Sequence, residues 1–244
     1  MLLRSVAAAL AAIAVAALPA AVCADTKIGL QGLVISGSHF ENANNVQGSG
    51  AGAFFEITQR WKMVRVHLEG IPVVDTAHAR SDRYGALTQS FGLFNGVVSV
   101  PIERSQHLWA GIGTGIVAQR TPQFNYPFVG RNQVNSSRLA GTRYELHGDW
   151  RTHNATFIES SVADQPHMRG PDFLNVSVAG VAFERSKGED ARMLDVSTAY
   201  GIDRGHMEYA LGVRWVNFSA NFDDGRAADR NVGFGPTFEV RYGL

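Results

Sequence analysis

The chain ends Asn231-Val232-Gly233-Phe234-Gly235-Pro236-Thr237-Phe238-Glu239-Val240-Arg241-Tyr242-Gly243-Leu244. Val232, Phe234, Phe238, Val240, Tyr242 and Leu244 alternate with Asn231, Gly233, Thr237, Glu239 and Arg241. In a strand, successive side chains point to opposite faces, so this period-two pattern makes one apolar and one polar face. The same pattern recurs upstream. Met207, Tyr209, Leu211, Val213 and Trp215 alternate with His206, Glu208, Ala210, Gly212 and Arg214. Tyr144 and Leu146 alternate with Arg143, Glu145, His147 and Asp149, and Val64, Val66 and Leu68 with Arg65, His67 and Glu69.

Eleven such segments can be read, near 27–38, 50–60, 62–74, 85–101, 106–119, 138–150, 154–163, 173–185, 191–203, 205–220 and 231–244. Polar or Gly-rich stretches at 41–50, 75–84, 120–137, 164–171 and 221–230 separate them, and 103–105, 186–190 and 203–205 read as tight turns. No composition shift marks an interior boundary, so residues 25–244 form one domain. The 26 glycines, many inside apolar runs, disfavour long helices.

Alternating strands suit either a soluble sandwich or barrel or a transmembrane barrel. Segments of ten residues or more, such as 205–220, match the roughly 9–11 residues a tilted strand needs to cross a bilayer. Soluble strands are nearer 5–6 residues. The polar faces carry both signs of charge with Gly, Ser and Thr, as a barrel interior tolerates, while the apolar faces are nearly free of charge. The expected fold is therefore an all-β antiparallel transmembrane barrel. Closed bacterial barrels have even strand numbers. Ten results if 154–163 is not independent; twelve results if 123–129, where Phe124, Tyr126 and Phe128 alternate, adds one. Both counts stand, with twelve favoured. Trp61, Trp109, Trp150 and Trp215 lie near segment ends, where an interfacial aromatic belt would place them.

The terminal strand resembles the C-terminal assembly signal of Gram-negative outer-membrane β-barrel proteins, with an aromatic residue, Tyr242, two before the end. Leu244 departs from the Phe or Trp usual in that class. The resemblance implies a partner, the outer-membrane barrel assembly machinery, reading Phe238–Leu244, and outer-membrane lipid around the wall. It names no specific barrel family.

The N-terminus agrees with export. Arg4 precedes the apolar run from Val6 to Leu18; Pro19 breaks it, and Val22-Cys23-Ala24 precede Asp25. Residues 1–24 read as a signal peptide cleaved after Ala24. The apolar core, about 13 residues, is short of the ~20 that a membrane-spanning helix needs. Cys23, the one cysteine, falls in this segment, so the mature chain has no thiol or Cys-based zinc chemistry. Val22 stands where a lipoprotein signal prefers a small residue. With 22 basic and 22 acidic residues the net charge is zero, which does not suit a nucleic-acid partner.

Little else reads as chemistry. His67 with Glu69, and Glu145 with His147 and Asp149, are same-face sets that either ligate a metal or compensate charge in a lumen; their spacing matches no helical zinc motif. Ser105-Gln106-His107 and Ser36-Gly37-Ser38-His39 place Ser near His, but not in the His-x-Ser order of the outer-membrane lipid hydrolases. Gly111-Ile112-Gly113-Thr114-Gly115 lacks the helix and Lys-Ser/Thr of a phosphate loop and suits a crowded barrel wall. No catalytic residue, metal or cofactor is assigned. The candidate binding cluster is the expected lumen: Arg65, His67, Glu69, Arg143, Glu145, His147, Glu208, Arg214, Glu239 and Arg241. The role expected is structural, a narrow porin-like pore with little ion selectivity, or a surface receptor or adhesin. The alternatives are a lipid-modifying hydrolase and a soluble barrel holding an apolar ligand, the latter requiring Val64, Val66 and Leu68 to point inward.

Overall fold

The computed structural model describes residues 25–41, 44–81, 85–124, 132–169, 173–177, 183–186, 188–222 and 229–244. The signal segment 1–24 and most of the possible strand at 123–129 lie outside them. The described elements are all strands: β1 (Asp25–Glu41), β2 (Asn44–Arg60), β3 (Arg65–Ser81), β4 (Gly85–Pro101), β5 (Leu108–Phe124), β6 (Asn132–Arg151), β7 (Thr156–Arg169), β8 (Phe173–Ser177), β9 (Phe183–Ser186), β10 (Gly188–Arg204), β11 (Met207–Phe222) and β12 (Asp229–Gly243).

Ten of these close into an antiparallel barrel. Each stave pairs with its chain neighbour from β1 to β7, β7 pairs with β10, and β12 returns to β1. The terminal strand closes the cylinder, with Phe238 opposite Gly32 and Tyr242 opposite Ile28. The twelve-strand expectation is corrected here. Segment 154–163 is a full stave, whereas 173–185 is not one: β8 and β9 form a small hairpin laid on the upper end of β6 through pairs such as Val134↔Val176.

The staves also run longer than the alternation suggested. β1 and β2 stay paired out to Glu41↔Asn44, and β3 and β4 to Ser81↔Gly85, so much of 41–50 and 75–84 is strand. Both faces of a strand meet water once it rises beyond an apolar belt, and the period-two signal fades although the ladder continues. The two ends of the barrel differ. At one end the connections are short, at 61–64, 102–107, 152–155 and 205–206, and Asp25 and Leu244 both lie there. Gly205 makes its turn at φ +74°. The other, loop end carries the connections at 42–43, 82–84, 125–131 and 223–228 and the β8–β9 hairpin.

Outside, the wall is oily. Leu30, Phe55, Val98, Ile112, Leu146, Val162, Tyr200, Leu211 and Phe238 are exposed on nine different staves. Arg65 is buried in the interior, so its neighbours Val66 and Leu68 share the outer parity; Val64 lies in the turn before β3. Trp150 is exposed on this outer face, but Trp109 is 1% exposed inside the barrel and so belongs to no interfacial belt.

Candidate functional site: the filled lumen

The inward positions build two layers. Nearer the short-turn end lies a lattice of ion pairs. Arg214, on β11, donates to Asp195 at 2.7 and 2.9 Å, to Gln31 at 3.3 Å and to Glu69, and stacks over Phe54 at 4.9 Å. Arg143 donates to Asp195 at 3.1 Å and to Glu145 at 3.3 Å, and Arg65 reaches Glu145 at 3.5 Å. Arg241, on the closing strand, meets Glu56, Glu159 at 2.6 Å and Glu239, with Glu208 at 3.7 Å. Lys27 and Arg151 both donate to Glu208 at 2.6 Å. Buried charges are tolerable only when paired in this way.

All ten residues of the expected lumen cluster thus lie inside the barrel, nine of them around one polar cavity of about 90 Å³ with Glu208 beside it. The sequence reading had not included Lys27, Gln31, Glu56, Arg151, Glu159 and Asp195. Glu56 and Asp195 were obscured because inward Phe54 and Met193 sit two positions away and break the polar face.

Those residues belong to the second layer. Toward the loop end, Phe54, Leu93, Val117, Leu139, Met168, Met193 and Phe218, each 2% exposed or less, pack with Ala191 and Val216 as one cluster inside the barrel. A barrel interior is usually polar; here an apolar disc lies across it. Small residues let the wall fit around this filling. A Cβ on Gly113 would fall 1.8 Å from the Gly96 carbonyl oxygen, so β4 and β5 approach as only glycine allows. A Cβ on Gly201 would strike the Phe157 ring at 2.3 Å.

The short-turn end has its own cover. Arg60 stacks on Trp109 at 4.8 Å and donates to the Gln106 carbonyl at 3.3 Å, tying β2 to the 102–107 turn. Within that turn Glu103 accepts bonds from Ser105 and from the His107 and Leu108 amides, which hold its carboxyl below the usual range. Ser105 therefore faces Glu103, while the His107 ring bonds the Asp149 carbonyl at 2.9 Å; the two do not form a nucleophile and base. The side chains of Ser36, Ser38 and His39 lie outside the described residues. Among the described residues no three His, Asp or Glu groups converge as a metal shell.

No protein-family model matches the chain, and no curated protein matches it. Solved structures do. The outer-membrane protease OmpT of Escherichia coli is 11% identical, with a TM-score of 0.56 over 91% of this chain and 96% of that one. The β domain of the Bordetella autotransporter BrkA is also 11% identical, with a TM-score of 0.50 over 91% of this chain and all of that domain. The chain has the fold of a Gram-negative outer-membrane β-barrel. At such identity the likeness extends to the fold alone.

Proposed function

We propose that this chain is an integral outer-membrane protein whose barrel is a sealed scaffold carrying surface loops, not a diffusion pore. The observation that carries the reading is the apolar disc. Seven side chains at 2% exposure or less pack together at that level, and the charge lattice narrows the level beneath to a cavity of about 90 Å³. This departs from the narrow porin-like pore and favours the receptor or adhesin-like role, in which the loop end does the work. The oily outer wall, with Val66 and Leu68 outward, supports lipid as the surrounding medium and argues against a soluble barrel with an apolar interior site. On this reading the signal is cleaved after Ala24, the short-turn end with both mature termini faces the periplasm, and the assembly machinery reads Phe238–Leu244.

Planar-bilayer recording tests the sealed state. The mature protein, inserted and shown to migrate faster on SDS gels before boiling than after, is expected to give no steady conductance. Stable open-channel steps from inserted protein would overturn it.

A further inference from the structure

The inward face of β5 carries three glycines in succession, Gly111, Gly113 and Gly115, between buried Trp109 and Val117. Side chains of other staves lie over two of them. A Cβ on Gly111 would fall 2.4 Å from Ser99 Oγ of β4, and one on Gly115 would fall 2.3 Å from Nε2 and 2.5 Å from Oε1 of Gln165. Gln165 belongs to β7 and reaches Gly115 by crossing β6 at Gly141, whose carbonyl oxygen its Nε2 meets at 3.5 Å. Asn95, on β4, is the residue opposite Gly115. The Gln165 amide therefore stands about one strand spacing, roughly 4.8 Å, from the stave that carries Asn95. Both amides are left incomplete. Asn95 is 5% exposed; its Nδ2 donates to Glu69 at 3.0 Å, but its Oδ1 accepts nothing. Gln165 is fully buried, and its Oε1 accepts nothing. Arg143, two places from Gly141 on β6, gives Nε to Glu145 and Nη2 to Asp195 and leaves Nη1 without a partner. Buried polar atoms cost free energy unless they are bonded.

We propose that Asn95, Gln165 and Arg143 hold a buried water molecule over Gly115, at the junction of the charged and apolar layers. The facing atoms select the ligand. Two amide oxygens beside a guanidinium N–H call for one molecule that both donates and accepts. Water donates to Asn95 Oδ1 and Gln165 Oε1 and accepts from Arg143 Nη1, which makes the three bonds typical of a buried water. The guanidinium repels a cation. An anion would face the two amide oxygens and, in the cavity beneath, seven carboxylates against six cations. Ser99 Oγ, also without a partner, lies over Gly111 beside Glu145 of the cavity lining, and marks the way by which the site exchanges with water from the short-turn end. Leu93 and Val117, two places beyond Asn95 and Gly115, close the site at the disc.

The test uses the full mature barrel in detergent micelles. Magnetisation transfer from the water resonance to the side-chain amide protons of Asn95 and Gln165 is recorded in the laboratory and rotating frames. A held water gives transfer of opposite sign in the two frames, whereas proton exchange gives the same sign in both. Opposite signs are expected at both amides. Gln165→Met keeps the length of the side chain and removes one acceptor, so transfer to Asn95 is expected to fall by half or more. Asn95→Leu is the reciprocal variant, with the same loss expected at Gln165. Ser99→Ala removes the hydroxyl that would relay exchange and is expected to leave both signals unchanged. Absence of the opposite-sign transfer at either amide of the parent would overturn the site. So would its loss in Ser99→Ala, or parent-like transfer in whichever of Gln165→Met and Asn95→Leu folds. The readout is independent of conductance, so the sealed-barrel reading and this one fail separately.

Discussion

Arg214 shows what a single inward residue must satisfy. Its guanidinium spans Glu69, Asp195 and Gln31 and covers the Phe54 ring, at the junction of the charged and apolar layers. Arg214→Met keeps much of the bulk but strands two buried carboxylates, and removing one partner of a buried pair costs about 3–5 kcal/mol. Urea unfolding of the barrel in lipid vesicles should register a loss of that order; a loss under 1 kcal/mol would mean that water already reaches the pair. Gly113→Ala acts through the backbone. The added methyl would sit against the Gly96 carbonyl, so β4 and β5 must part, at more than the ~1–3 kcal/mol of ordinary overpacking. The expected readout is loss of the fast-migrating SDS-resistant form. Residue parity was legible in the sequence wherever a charge held the inward place, as at Arg65, Glu145 and Arg241. It was not legible at Phe54 or Met193, where both neighbouring faces carry apolar side chains and only the filled interior distinguishes them.

Among the elements, β12 has the most exacting task because its pairing with β1 joins the two ends of the chain's sheet. Tyr242 lies opposite Ile28 and Met207, the Gly243 amide donates to the His206 carbonyl, and the Leu244 amide donates to the Thr26 carbonyl at 2.9 Å. Deleting Tyr242–Leu244 leaves strand ends unpaired, and unpaired backbone groups in hydrocarbon cost several kcal/mol each. The truncated chain is expected to accumulate in the periplasm and be degraded, whereas Leu244→Phe assembles at least as well as the parent. Quantifying outer-membrane yield checks both, and normal yield of the truncation would refute the closing role. The 102–107 turn gives a finer test. Its bond to Ser105 and the two amide bonds lower the Glu103 pKa, so the tightening they give is present above the unfolded carboxyl range and is lost as pH falls through the folded pKa. The His107 and Leu108 amide resonances should titrate with a midpoint below the ordinary Glu value of about 4.3, and Glu103→Gln should abolish that midpoint. Element number was less legible than element type. Residues 173–185 alternate well enough to pass for a stave, and period two carries no information on whether a strand crosses the wall or folds back on itself as β8 and β9 do.

At the scale of the molecule, the lattice joins staves remote in sequence that flank a common neighbour at the closing seam. Lys27 meets Glu208, Gln31 meets Arg214, and Glu56 meets Arg241, at separations of 181, 183 and 185 residues. None of these bonds can form before β12 has come round to β1. Closure and interior bonding are therefore one event, and unfolding is expected to be cooperative. Far-ultraviolet dichroism and tryptophan emission should give coincident urea transitions, and separated midpoints would count against it. The two faces of the same ladder consequently live under different rules of inheritance. An outward Leu, Val or Phe answers only to oil, and each can be exchanged for another without notice to its neighbours. An inward charge is held by partners on other staves, so it can change only in company. Over many generations the exterior is free to wander quickly and singly, while the interior moves slowly and in concerted sets, and a cylinder can keep its shape long after its spelling has become unrecognisable.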